Sequence, residues 1–250
     1  MNHSQSLSLF FCGRIVATVR FAIFLIAGQQ MQAQIWNNQS VTLLRGDDYA
    51  VGNAERTVVT FEHASGWSWG TLFLFVDRHM DQSGLDYLGT YGECHPTFIV
   101  KSFPKSSWLK AVVLAGTLEK GNGDIERYLL GPGLQLSCKG FDRLQVSLQY
   151  RNDRFVPSDT LQLTVTWAMT FHLNKTRWLF DGFADWAGVE GPKGANLNVT
   201  PQVKLDLGHL WNRPSRLYFG TEYNYWENKF GIPGRSERNW NWLLKYHWTF

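Results

Sequence analysis

The run Trp240-Asn-Trp-Leu-Leu-Lys-Tyr-His-Trp-Thr-Phe250 ends the chain, and its reading decides the fold. Trp240, Trp242, Leu244, Tyr246, Trp248 and Phe250 fall on one face of a strand, and Asn241, Leu243, Lys245, His247 and Thr249 on the other. An apolar face of this size on a free terminal strand is an aggregation hazard in water. In a barrel set in lipid the same strand has its aromatic face outward and Lys245 inward, and closure removes the open edge. A terminal Phe preceded by apolar residues at every second position also has the form of the signal read by the outer-membrane barrel-assembly machinery.

Period-two alternation extends over the chain beyond residue 38. Leu161, Leu163, Val165, Trp167, Met169 and Phe171 alternate with Gln162, Thr164, Thr166, Ala168 and Thr170. Leu144, Val146, Leu148 and Tyr150 alternate with Gln145, Ser147, Gln149 and Arg151. Periodicity alone does not choose between a soluble sandwich with its apolar face inside and a membrane barrel with that face outside. The terminal strand and an export address decide for the barrel.

That address is Arg14 and Arg20 before the apolar run Phe21–Ala27, with a polar sequence from Gln34. Such an arrangement predicts a secretory signal peptide over residues 1–33, cleaved after Ala33, and a barrel over 34–250. No stretch approaches the ~20 apolar residues of a membrane-spanning helix.

Counting alternating segments between turns predicts an all-β, transmembrane antiparallel barrel of about twelve strands. These lie at roughly 39–45, 56–64, 67–77, 90–100, 108–120, 125–138, 141–151, 159–173, 176–187, 197–208, 215–227 and 238–250. Ser65-Gly66, Lys139-Gly140 and Asn174-Lys175 read as periplasmic turns, and the stretches near 46–55, 78–89, 152–158, 188–196 and 228–237 as outer loops. An even strand count puts both termini in the periplasm of a bacterial cell.

Composition agrees with this reading. The chain is 15% aromatic, with 12 Trp, as expected where aromatic girdles mark both membrane interfaces. A net charge of +3 with no long basic run carries no footprint for nucleic acid. Cys94 and Cys138 fall on strands separated by another strand, too far apart for a disulfide. The histidines are scattered, no Gly-x-Ser-x-Gly occurs, and no cluster has zinc spacing, so the reading is a barrel without enzymatic activity or cofactor.

Parity then defines an inward set. Counted back from Asp77, it contains Trp67, Trp69, Thr71, Phe73 and Phe75. Rings facing a lumen either plug the barrel as an internal core or offer stacking surfaces to a flat solute. Glu62, Arg177, Asp181, Asp185, Arg216, Glu222 and Lys245 also face inward, as an internal ion-pair ladder or as partners for a solute's polar groups. Mixed signs argue against a strongly anion- or cation-selective pore.

The run Thr60-Phe-Glu-His-Ala-Ser-Gly-Trp-Ser-Trp-Gly-Thr-Leu-Phe-Leu-Phe-Val-Asp77 resembles the Tsx/OmpK-type nucleoside-specific channel proteins. So do Tyr91-Gly-Glu93, Phe180-Asp-Gly-Phe-Ala-Asp-Trp186, Pro201-Gln202 and Glu222-Tyr-Asn-Tyr-Trp-Glu-Asn-Lys-Phe-Gly-Ile232. The resemblance implies a monomeric twelve-stranded barrel with a narrow lumen. It implies passive diffusion of nucleosides through weak aromatic and polar sites, and in some members a bacteriophage-receptor role for the outer loops. The site residues it suggests are Trp67, Trp69, Phe73, Phe75, Phe183 and Tyr218 as rings, with Glu62, Asp77, Asp181, Asp185 and Glu222 as polar partners. The alternative left open is a non-transporting surface barrel, structural or serving as a phage or adhesion receptor. The partners expected are nucleosides, outer-membrane lipids and the barrel-assembly machinery.

Overall fold

A computed structural model describes residues 34–80 and 89–249. The expected leader, residues 1–33, the outer-loop residues 81–88 and the terminal Phe250 lie outside the described residues. Twelve strands form one closed antiparallel barrel in which each pairs with its neighbours in sequence and β1 pairs with β12. They are β1 (Trp36–Gly46), β2 (Arg56–Trp67), β3 (Gly70–Met80), β4 (Thr90–Ser102), β5 (Leu109–Gly121) and β6 (Ile125–Leu136). The second half comprises β7 (Arg143–Asp153), β8 (Thr160–Leu173), β9 (Thr176–Ala187), β10 (Asn196–Asp206), β11 (Leu217–Glu227) and β12 (Glu237–Trp248). A four-residue helix, α1 (Leu207–Leu210), sits in the connection after β10, its first turn capped by Asp206, whose carboxylate accepts from the His209 N–H.

The closing seam sets Thr42 opposite Lys245 and Leu44 opposite Leu243, so Lys245 faces inward and Leu244 and Tyr246 outward. Followed around the barrel, this register makes the wall apolar outside and polar inside. Leu163, Leu148, Leu130, Trp242 and Leu244 are exposed on the outside, whereas Lys204, Gln149, Asn241 and Asp206 are buried within. The buried apolar cluster is small, consisting of Leu44, Val58 and Leu243. A soluble protein inverts this distribution, because a continuous exposed apolar band of this extent forfeits roughly 1.5–3 kcal/mol per large side chain in water. Tyr128, Tyr150 and Trp240 stand near the outer ends of their strands, and Trp67, Trp108 and Trp211 at or near the opposite end, as interface girdles. The chain is a bacterial outer-membrane β-barrel.

One expected boundary is wrong in a way that matters. Ser65 and Gly66 belong to β2, and the β2–β3 turn is Ser68-Trp69, with Trp67 opposite Gly70. Glycine is required at position 70, since a Cβ there would lie 1.8 Å from the Thr97 carbonyl oxygen.

The inside-out wall predicts the response to charge. Val165→Arg, in the outward row of β8 near the middle of the strand, lowers stability by about 2–4 kcal/mol in urea titrations from lipid vesicles. Thr166→Lys, on the lumen side of the same strand, produces a much smaller loss.

Candidate functional site

Register decides which side chains share the lumen. Thr60 pairs with Asp77 and Glu62 with Phe75 between β2 and β3, and Phe73 pairs with His95 between β3 and β4. Across β8–β10, Thr164 pairs with Asp185, Thr166 and Thr200 with Phe183, and Gln202 with Asp181. Glu62, Phe73, Phe75, Asp77, Asp181, Phe183, Asp185, Tyr218 and Glu222 therefore all lie on the lumen face.

Trp67 and Trp69 do not, which corrects the expectation. Inward positions on β2 are even-numbered (Arg56 through Gly66), so Trp67 points outward, and Trp69 is in the turn. Parity counted back from Asp77 fails because the chain reverses between Trp67 and Gly70. The Trp67 indole N–H donates to Ser65 Oγ at 3.0 Å, in a chain running on to His63 and Gln39 along the outer wall. Trp67 stacks on Trp69 at 6.0 Å between centroids, and Trp69 packs on Phe98 at 5.0 Å. These rings belong to the periplasmic-side girdle.

What lines the lumen instead is an aromatic ladder on β3 and β4. Phe73 and Phe75 lie 6.2 Å apart, Phe73 is 5.8 Å from the His95 ring, and Phe75 is 5.9 Å from Tyr91. Phe75 and His95 are nearly parallel, at 18° and 6.4 Å. Glu93 accepts from the Tyr91 hydroxyl and pairs with His95 at 2.8 Å, which orients both rings. Tyr91, Glu93 and His95 were missed as site residues, although the row Tyr91, Glu93, His95, Thr97 carries the period-two signal that finds them. In the ring of twelve strands β9 stands six places from β3, so Phe183 projects from the wall facing Phe73 and Phe75.

The lumen charges divide into those consumed by ion pairs and those left to hydrogen bonds. Lys204 Nζ lies 2.6 Å from Asp181 and donates to Gln202 at 2.6 Å, while Lys245 pairs with Glu62, which also accepts from Ser40 at 2.7 Å. Towards the outer mouth, Arg127 binds Glu119 and Asp153 at 2.7 and 2.8 Å, and Arg151 binds Glu119 at 2.7 Å. Three carboxylates between these layers have neutral partners: Asp77 accepts from Thr60 at 2.6 Å and Asp185 from Thr164 at 2.5 Å. Glu222 accepts from Gln202, Asn224 and Asn241 at 2.6, 3.2 and 3.3 Å. Tyr218 is only 4% exposed and packs edge-on against His247 at 5.3 Å, so it offers no free face.

A model of the family described as a domain of unknown function, DUF5020, matches residues 47–250. The chain belongs to this family. The match runs from the first outer loop to the end, so every lumen residue of this DUF5020 chain except those on β1 falls inside it. No curated protein matches the sequence. Among solved structures the chain is similar to the KdgM porin at 12% identity, covering 83% of this chain and 98% of that one, with a TM-score of 0.48. It is also similar to Pseudomonas aeruginosa OccK5 (OpdH) at 10% identity, 86% and 98% coverage and a TM-score of 0.27. A loop L8 deletion mutant of OmpT from Vibrio cholerae matches at 12% identity, 88% and 100% coverage and a TM-score of 0.28.

The parity correction is directly measurable. In otherwise cysteine-free protein, a cysteine at position 73 reacts with a water-soluble methanethiosulfonate, and one at position 61, in the same outward row of β2 as Trp67 but deeper in the bilayer, reacts at least about tenfold more slowly because lipid shields it. Equal rates would mean that the β2–β3 register is not the one described.

Proposed function

We propose that this barrel is a passive diffusion channel for nucleosides. The observation that carries the reading is the ladder Phe73, Phe75, Tyr91 and His95, which faces Phe183 and has beside it Asp77, Asp185 and Glu222, held by hydrogen bonds from neutral side chains and in no ion pair among the described residues. A base offers a flat ring to such a ladder, at about 1–3 kcal/mol per stacked ring. Ribose hydroxyls and exocyclic amines are donors, and carboxylates not held by a cation retain acceptor capacity for them. Several sites of modest strength suit conduction, which needs binding weak enough for release. The resemblance of its motifs to those of Tsx/OmpK-type channels supports the same solute class. Phe73 and Phe75 are only partly buried, unlike Leu243 at 1% exposure, and this favours accessible rings over a sealed internal core.

A second reading is a surface barrel that does not transport and acts through its outer loops, including as a bacteriophage receptor. It is favoured by the outer mouth, where Lys229, Glu237 and Glu190 are each under 5% exposed among loop residues. In either reading the terminal strand is the segment that engages the assembly machinery, and the apolar wall is the surface that contacts outer-membrane lipid.

Flux into proteoliposomes separates the two. Adenosine and thymidine enter faster than sugars of similar size, and Phe75→Ala reduces that preference by roughly tenfold, the loss of about one stacking contact. Equal entry of nucleosides and sugars, unchanged in Phe75→Ala, would reject nucleoside passage. No flux of any solute would favour the surface-barrel reading.

A further inference from the structure

At the outer mouth three chain segments are joined to one another through charged and polar contacts. In the segment after β1, the Tyr49 hydroxyl donates to Asn241 Oδ1 at 2.6 Å, and the Ala50 N–H donates to Glu237 at 2.8 Å. In the segment after β9, Lys193 pairs with Asp153 at 2.7 Å, and Glu190 lies 3.6 Å from Arg151. The segment after β11 joins the other two. Arg235 donates to the Ala50 carbonyl at 3.3 Å, the Gly194 N–H to the Gly231 carbonyl at 2.8 Å, and Asn228 to the Ala195 carbonyl at 2.8 Å.

At its centre is Lys229. Its ammonium is 2.5 Å from Glu237 and lies over the rings of Trp226, Phe230 and Tyr49, at 4.7, 5.3 and 5.8 Å from their centroids. The residue is 4% exposed. An ammonium held by a carboxylate and aromatic faces is strongly bound once water is excluded. Burial holds the Tyr49 hydroxyl protonated well above its ordinary range, so it remains a donor to Asn241.

Two features distinguish this assembly from a fixed plug. Asn228 and Phe230, on either side of Lys229, have φ of 49° and 59°, in the left-handed region, which asparagine tolerates and a bulky residue such as Phe230 rarely adopts. Backbone held in that region stores strain that departure of the segment releases. The segments also meet mainly through hydrogen bonds and ion pairs, with little apolar burial, which is the composition of a locally low-stability unit. Glu190 adds to this, being 3% exposed with Oε1 lacking a hydrogen-bond partner among the described residues.

We infer that Lys229 is the pin of a three-segment gate over the outer mouth, and that the closed arrangement is the one described. The inference rests on the channel reading. Withdrawal of Lys229 from Glu237 and its rings frees segment 228–235, which releases the Ala50 carbonyl and the Gly194 N–H together and opens the mouth.

The test uses the full barrel and Lys229→Met, with Lys193→Met as a second variant and heat-modifiable gel mobility to verify folding. Amide hydrogen exchange in micelles reads the coupling without reference to conduction. Lys229→Met accelerates exchange at least tenfold at Gly194, whose N–H donates to the Gly231 carbonyl from far away in sequence, while strand amides are unchanged. Acceleration confined to 228–235 would overturn the coupling. In planar bilayers the same variant raises the open fraction several-fold, and Lys193→Met does so to a smaller extent. Unchanged current despite loss of protection would overturn the gate. An increased current without preference for nucleosides would leave the gate standing and reject the nucleoside reading.

Discussion

Every backbone N–H and C=O that enters hydrocarbon must find its partner within the protein, and for strands only a closed ladder achieves this. The β1–β12 seam is where closure is made, through eight consecutive residue pairs from Gln39–Trp248 to Gly46–Asn241. Each pairing register in the closed ladder sets side-chain parity for its strands, because a shift by one residue would turn that strand's apolar row inward. The lumen chemistry therefore depends on a hydrogen-bonding constraint that involves none of the lumen side chains. Lys245 and Leu244, adjacent in sequence, meet opposite environments for this reason alone.

A wall built this way collects ionisable groups in a narrow interior, where an unpaired charge is costly to desolvate. Two layers resolve that cost by pairing: Lys204–Asp181 with Lys245–Glu62, and the Glu119–Arg127–Asp153 group with Arg151. Between them Asp77, Asp185 and Glu222 accept hydrogen bonds from hydroxyl and amide donors and are in no ion pair among the described residues. Hydrogen bonds from neutral groups leave a carboxylate's remaining lone pairs available. The aromatic ladder occupies the same stretch of β3 and β4, so the least neutralised part of the lumen is also the part richest in ring surface. That coincidence gives the interior a chemical direction that a uniform ion-pair lattice would lack.

The outer mouth follows a different rule from the wall. Its segments are held by side chains and carbonyls rather than by a ladder, and two of its residues adopt left-handed backbone at the Lys229 turn. Ladder hydrogen bonds exchange only when the sheet opens, whereas such loop contacts break locally. A rigid cylinder with a separately stabilised loop assembly at its outer mouth is the physical consequence.

The twelve strands, their alternation and the outward face of the terminal strand could be read from the amino-acid order, because a period of two along one strand is a local property. The lumen positions of Phe73, Phe75, Asp77, Asp181, Asp185 and Glu222 were legible for the same reason. Trp67 and Trp69 were not, since parity does not survive a chain reversal and only pairing located that reversal at Ser68-Trp69. Nor was the opposition of Phe183 to the ladder, which requires the ring order of strands. The loop assembly at the mouth was least legible of all. Tyr49 and Asn241 are 192 residues apart, and their contact exists only because barrel closure brings the first and last strands together. The local sequence thus determined which residues alternate, and the closed sheet alone decided which of them meet.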